Sequence, residues 1–149
     1  MINIDQIKKL RQETGVSITE CKKALAEAGG DVEKAKEILL IWGRDFAQTK
    51  AERETGKGIV ETYIHPNGKI GVMVELRCET DFVACCEEFR KLAHELCLQI
   101  AAMNPTNESS LLAQSWIRDE SKAVKDLIDE YVARIGENIV IKRFVRYEI

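Results

Sequence analysis

The period of the hydrophobic pattern first changes from helical to extended at Gly56-Lys57-Gly58, and that change constrains the fold more than any other feature. Ahead of it, apolar residues recur at three- and four-residue steps, as one face of a helix requires. Ile4, Ile7 and Leu10 precede Gly15, a natural helix-terminating residue. Ser17-Ile18-Thr19-Glu20 has the spacing of a capping box, and Ile18, Cys21, Leu25 and Ala28 fall on one face before Gly29-Gly30. Asp31 can cap a third helix, whose stripe Val32, Ala35, Ile38, Leu39 and Trp42 ends at Gly43. Helices of this length are marginal alone in water, so the spacing predicts a three-helix bundle over 1–43. Residues 44–57 are polar and helix-favouring and are expected to form a helical linker.

Past the break the residue types change. Gly58 to His65 and Ile70 to Cys78 are rich in β-formers, and Pro66-Asn67-Gly68 between them carries the Asn-Gly signal of a hairpin turn. After the polar break Glu79-Thr80-Asp81, the residues Phe89, Leu92, Ala93, Leu96 and Ile100 trace a helix up to Pro105. Residues 105–122 are weakly patterned, and a loop with a short helical piece is expected. Val124, Leu127, Ile128, Tyr131 and Ile135 line a further helix ended by Gly136. From Ile139 to Ile149 the residues alternate, with Ile139, Ile141, Val145, Tyr147 and Ile149 assigned to one face and Lys142, Phe144 and Arg146 to the other. The order β-β-α-α-β predicts an α+β core over 58–149, a small antiparallel three-stranded sheet covered by helices on one face.

Charge and cysteine usage narrow the function. With 22 Lys and Arg against 25 Asp and Glu, the 149 residues carry a net charge of -3 and no concentrated cationic stretch, so nucleic acid is not expected as a partner. No apolar run approaches the ~20 residues of a membrane span, and the N-terminal stretch has no secretory h-region. The cysteines Cys21, Cys78, Cys85, Cys86 and Cys97 are odd in number and form no C-x-x-C pair, which points to reduced thiols in a cytoplasmic compartment. No phosphate loop, G-x-S-x-G or H-E-x-x-H occurs; His65 stands beside Pro66 in the hairpin turn and His94 on the surface of the Phe89–Met103 helix, where solvated side chains are expected. No catalytic residue, metal site or cofactor is therefore expected. Phe82 is harder to place. It stands ahead of the Phe89 stripe, where it can tuck under the sheet as a staple or project as an anchor, and pattern alone favours the staple.

Three separated motifs carry a family resemblance. TGVSITECKKAL at 14–25 with GGDVEKA at 29–35, TDFVA at 80–84 directly after ELRCET, and GENI at 136–139 followed by Lys142-Arg143-Phe144 resemble, in this order, the signatures of elongation factor Ts. The resemblance implies a guanine-nucleotide exchange factor for elongation factor Tu, with a ubiquitin-associated-like N-terminal bundle and an α/β dimerisation-type core. It also implies that Thr80, Asp81, Phe82 and Val83 form a tip that enters the GTPase domain and displaces the elements holding Mg²⁺ and the diphosphate. On the same resemblance, Cys21, Lys22 and Leu25 dock the bundle on that domain. Phe82 then becomes an anchor.

Long members of the family carry two core halves and a coiled-coil insertion, so 149 residues resemble a short form with one half. Short forms are expected to pair as homodimers, here through the last strand, with Ile139, Ile141, Val145 and Tyr147 as candidate contacts. Two other classes compete with nucleotide exchange. One is a non-catalytic adaptor built on the same bundle, and the other is a thiol enzyme using Cys85 or Cys86.

Overall fold

The computed structural model describes residues 2–149. The first two helices, α1 (Ile4–Thr14) and α2 (Ile18–Glu27), begin where polar side chains satisfy their free N–H groups. Asn3 and Gln6 form a reciprocal capping box on α1, and the Ser17 hydroxyl accepts from the Glu20 N–H at 3.3 Å on α2. Glu20 accepts from the Ser17 hydroxyl at 3.1 Å. Gly15 ends α1 at φ 70°, in the left-handed conformation that a glycine adopts without steric cost. Leu10, Cys21, Ala24, Leu25, Ala35 and Leu39 make the bundle core. Ile18, assigned to that core by spacing, is 53% exposed at the first position of α2, while Ala24 is buried beside Cys21 and Leu25.

The third helix does not stop at Gly43. α3 (Val32–Lys50) runs through it without a break, capped by Asp31 at its start. Gly43 instead lies against the core: a Cβ placed there would meet that of Ala133 at 3.7 Å, so two helix backbones approach closely at this point. Arg44 Nε donates to Asp126 Oδ1 at 2.9 Å, while Asp126 Oδ2 accepts the N–H of Ala123 at 3.1 Å. One carboxylate thus caps α7 (Val124–Ile135) and anchors α3 to it. The segment expected as a linker is helical to Lys50 and joins bundle to core through side-chain packing.

β1 (Lys57–Ile64) and β2 (Ile70–Cys78) form the expected hairpin, closed by His65 to Lys69 with Gly68 at φ 71°. β5 (Val140–Glu148) pairs antiparallel with β2, so the sheet order is β1-β2-β5. One face of the sheet, with Val72, Val74, Leu76 and Cys78 buried at its centre, packs on α5 (Glu87–Met103) through Phe89, Leu92, Ala93, Leu96 and Ile100. The fold is α+β, with helices on one side of a small antiparallel sheet.

Two expectations fail in the C-terminal third. The weakly patterned stretch contains the expected short helix, α6 (Glu108–Ala113), but in place of a loop it forms a two-stranded hairpin, β3 (Ser115–Trp116) with β4 (Asp119–Ala123). Polar anchors on α5 hold that hairpin. Buried Gln99 donates to Gln114 Oε1 and to the Ser115 carbonyl, both at 3.1 Å, and accepts from the Ile117 N–H at 2.9 Å. Arg118 Nε donates to Glu95 at 2.6 Å. The second failure is the strict alternation of the last strand. Leu76 pairs with Ile141 and Glu75 with Arg143, so Lys142 is an extra residue in a β-bulge. A one-residue slip exchanges faces. Ile139 and Ile141 are buried in the core, while Val145 and Tyr147 point to the outer face and Phe144 and Arg146 to the helix side. Arg146 donates from Nε and Nη2 to the Ala101 carbonyl, at 3.2 and 2.9 Å, and so caps the C-terminal turn of α5.

Gly58 has φ 156°, and a Cβ there would lie 2.1 Å from the Leu76 carbonyl oxygen on the neighbouring strand. Gly58→Ala is therefore expected to cost about 2 kcal/mol or more in urea unfolding. Gly56→Ala, with open space around its Cβ, stays within ~0.5 kcal/mol.

Candidate functional site

β2 ends at Cys78, paired with Lys57, and the chain leaves the sheet at Glu79. Thr80 then caps a single helical turn, α4 (Asp81–Ala84), its hydroxyl accepting from the Val83 N–H at 3.3 Å. Val83 and Ala84 turn inward and are buried. Successive helical side chains step round by ~100°, so Phe82 is directed away from them. It is 82% exposed, and the staple reading is excluded. Asp81 sits beside it, also exposed, 3.6 Å from the Lys57 ammonium. An exposed pair of this kind contributes little to stability.

The tip is gripped from behind. Cys78 Sγ donates to the Thr80 carbonyl at 3.2 Å and Cys86 Sγ to the Phe82 carbonyl at 3.3 Å. Glu137, at the junction of α7 and β5, makes stronger bonds. Its Oε1 accepts from the N–H groups of Glu79 and Thr80, at 3.1 and 3.0 Å, and its Oε2 accepts from the Thr80 hydroxyl at 2.7 Å. Glu79 returns the contact, its Oε2 accepting the Asn138 N–H at 2.6 Å. Buried Asn138 donates from Nδ2 to the carbonyls of Ala51 and Arg53, at 3.3 and 2.9 Å. Arg53 Nη1 also reaches Glu79 at 3.4 Å. Spacing gave no role to Glu79, Glu137 or Asn138. Their only signal in the sequence is their position inside the family motifs, Glu79 in ELRCET and Glu137 and Asn138 in GENI.

The remaining candidates divide by burial. Cys21 and Leu25 are fully buried in the bundle and can act on a partner only by shaping its surface, whereas Lys22 is exposed on α2. Of the strand residues, Ile139 and Ile141 belong to the core, while Tyr147 is 74% exposed and Val145 lies beside it on the outer sheet face with Val60, Ile64 and Met73. His65 and His94 are both at the surface, flanking Tyr63. Among the described residues no group of three or more His, Cys, Asp or Glu side chains is placed to hold a metal ion, and no helix is long and apolar enough to cross a membrane.

The model of the family described as Elongation factor TS matches residues 5–106 and 79–149. The chain belongs to the elongation factor Ts family. Elongation factor Ts of Caldanaerobacter subterraneus subsp. tengcongensis is 42% identical, over 99% of this chain and 96% of the relative. That of Thermotoga maritima is 42% identical over the same shares, and that of Coprothermobacter proteolyticus 40% over 99% and 98%. The first alignment extends over 193 positions against 149 residues here, so that relative carries segments this chain lacks.

The five cysteines differ sharply in access. Cys85 is exposed at the end of α4 and Cys86 half-buried at the start of α5, while Cys21, Cys78 and Cys97 are buried. Burial pushes the Cys78 thiol up to about 11 and that of Cys97 up to about 12, and it raises Cys21 as well. Thiolate is the reactive species. At pH 8, an aromatic disulfide reagent should therefore titrate Cys85 first and Cys86 more slowly, with the other three silent until the protein unfolds. The same shifts carry a stability term. It is present below pH 9.0, the ordinary thiol value, and is lost as pH rises through about 11 and about 12, where the unfolded chain has already released those protons.

Proposed function

We propose that the Asp81-Phe82 tip is how this nucleotide-exchange factor of translation elongation acts. Phe82 inserts between helices of the GTPase domain of elongation factor Tu and displaces the elements that hold Mg²⁺ and the diphosphate. The observation that carries the reading is the aromatic ring standing 82% exposed on a turn braced from behind. An apolar side chain held in water on a braced turn is disposed to enter a pocket on a protein surface, and aromatic anchors dominate interfaces of this kind.

Nucleotide and Mg²⁺ are held by charge geometry, so small displacements of their ligands weaken the grip. A factor that binds the nucleotide-free GTPase more tightly lowers nucleotide affinity by the same factor, because the coupling is reciprocal. No bond is made or broken in this process, so the protein needs neither catalytic acid nor base and is no enzyme in the chemical sense. The partner is a protein surface and not a nucleic acid or a membrane, and the setting is the cytoplasm. The three-helix bundle, ubiquitin-associated-like in this reading, docks on the same GTPase domain through its α2 surface. There Lys22 makes direct contact, and Cys21 and Leu25 hold the helix that presents it.

Phe82→Ala is expected to reduce stimulated GDP release from elongation factor Tu about thirtyfold or more. Its unfolding midpoint should be unmoved, since the lost side chain touches little. Release at the unmutated rate would remove Phe82 from the mechanism.

A homodimer completes the proposal. β5 is an edge strand, and the outer face beside it exposes Val145 and Tyr147 next to Met73, an apolar surface that a second copy can cover. Sedimentation equilibrium at micromolar concentration should give the dimer mass, and Tyr147→Glu should shift it toward the monomer. A monomer mass for the unmutated chain would dismiss the pairing.

A further inference from the structure

The position of Phe82 cannot be set by the Phe82 side chain, which touches almost nothing. It has to be set by the backbone of 79–81, and that backbone lies outside every ladder. β2 has ended at Cys78, and α4 has only four residues, too short to hold itself as a helix in water. The N–H groups of Glu79 and Thr80 are therefore consecutive donors with no strand or helix to take them. A single carboxylate, 57 and 58 residues further along the chain, takes both and the Thr80 hydroxyl as well. The same hydroxyl then accepts from Val83, so an unbroken chain of hydrogen bonds runs from Glu137 through Thr80 into the turn that carries Phe82. Glu137 is fixed in turn: its neighbour Asn138 is tied by its N–H to Glu79 and by its amide to the carbonyls of Ala51 and Arg53 after α3. Three segments distant in sequence are cross-braced at this one point.

We infer that Glu137 is a positioning residue for nucleotide exchange, which aims the Phe82 wedge by holding the backbone of Glu79 and Thr80. The inference rests on the reading of Phe82 as the wedge. Glu137 touches no partner in this account. It acts by removing the alternative positions of a loop that would otherwise have to be ordered during the encounter, which is the pre-organisation a group needs if its binding is to be realised only in the exchange-active complex. Charge-assisted bonds from one anion to two adjacent amides and a hydroxyl suit this purpose, because they fix direction as well as distance.

The test is GDP release from elongation factor Tu measured against concentration of the factor, for Glu137→Ala, Glu137→Asp and Glu137→Gln. Glu137→Ala loses all three acceptor contacts, and Glu137→Asp withdraws the carboxylate by one methylene while keeping its charge. Each is expected to lower the maximal rate by about 10- to 100-fold, as misplacement of a working group by an ångström does. The concentration for half-maximal rate stays within about threefold, because the bundle's docking surface is intact. Glu137→Gln keeps an acceptor oxygen for the two amides and recovers most of the rate. A merely structural role would lower the unfolding midpoint without that split and without that rescue. If Glu137→Ala fails to fold, Glu137→Asp decides. Maximal rates equal to the unmutated protein in the Asp variant, or a Gln variant no better than Asp, overturn the inference. Running Phe82→Ala alongside separates the two failures. If Phe82→Ala abolishes stimulation and the Asp variant does not lower it, only the positioning role falls. If Phe82→Ala exchanges at full rate, the wedge and its brace fall together.

Discussion

The structure depends on one burial: the inner face of a three-stranded sheet against helix α5. A sheet of this size is not stable with both faces in water. β2, the central strand, places Val72, Val74, Leu76 and Cys78 against Phe89, Leu92, Leu96 and Ile100, and each of these residues is almost wholly removed from solvent. Everything else is attached to that layer. α7 packs behind α5, and α3 packs on α7 where Gly43 meets Ala133 and Arg44 meets Asp126, so the N-terminal bundle is held to the core by a continuous helix.

The same layer explains why a large aromatic can stand in water beside it. β2 must end where its buried face ends, at Cys78, and the chain must turn before α5 can cross the sheet. The single turn α4 spans that gap, with Val83 and Ala84 completing the apolar layer while Phe82 is left outside. The exposure of Phe82 follows from the burial of its two neighbours. The polar brace from Glu137 and Asn138 then supplies the order that packing withholds.

Much of this was legible in the sequence. Gly15 and Gly136 end helices, Ser17 and Asp31 begin them, and Asn67-Gly68 closes the hairpin, because each of these effects is local to a few residues. Gly43 misled, since a glycine has two uses and only a neighbouring helix reveals which applies. The hairpin at 115–123 escaped notice because its anchors, Gln99 and Glu95, lie on another element and leave no periodic trace. The site divides in the same way. The tip residues were found through their family motif, while pattern alone preferred the wrong disposition for Phe82.

Sequence alone determined most of the elements, the change from helical to extended period, most of the apolar core and, through three short motifs, the family. These are set by residue type and by neighbours within about one turn or one strand pair. Tertiary structure alone decided the face that each half of β5 presents, because the bulge at Lys142 is a matter of register against β2. It alone decided that Glu137 lies behind Thr80. Those outcomes depend on groups more than fifty residues apart meeting at hydrogen-bond distance, and only the folded chain brings them together.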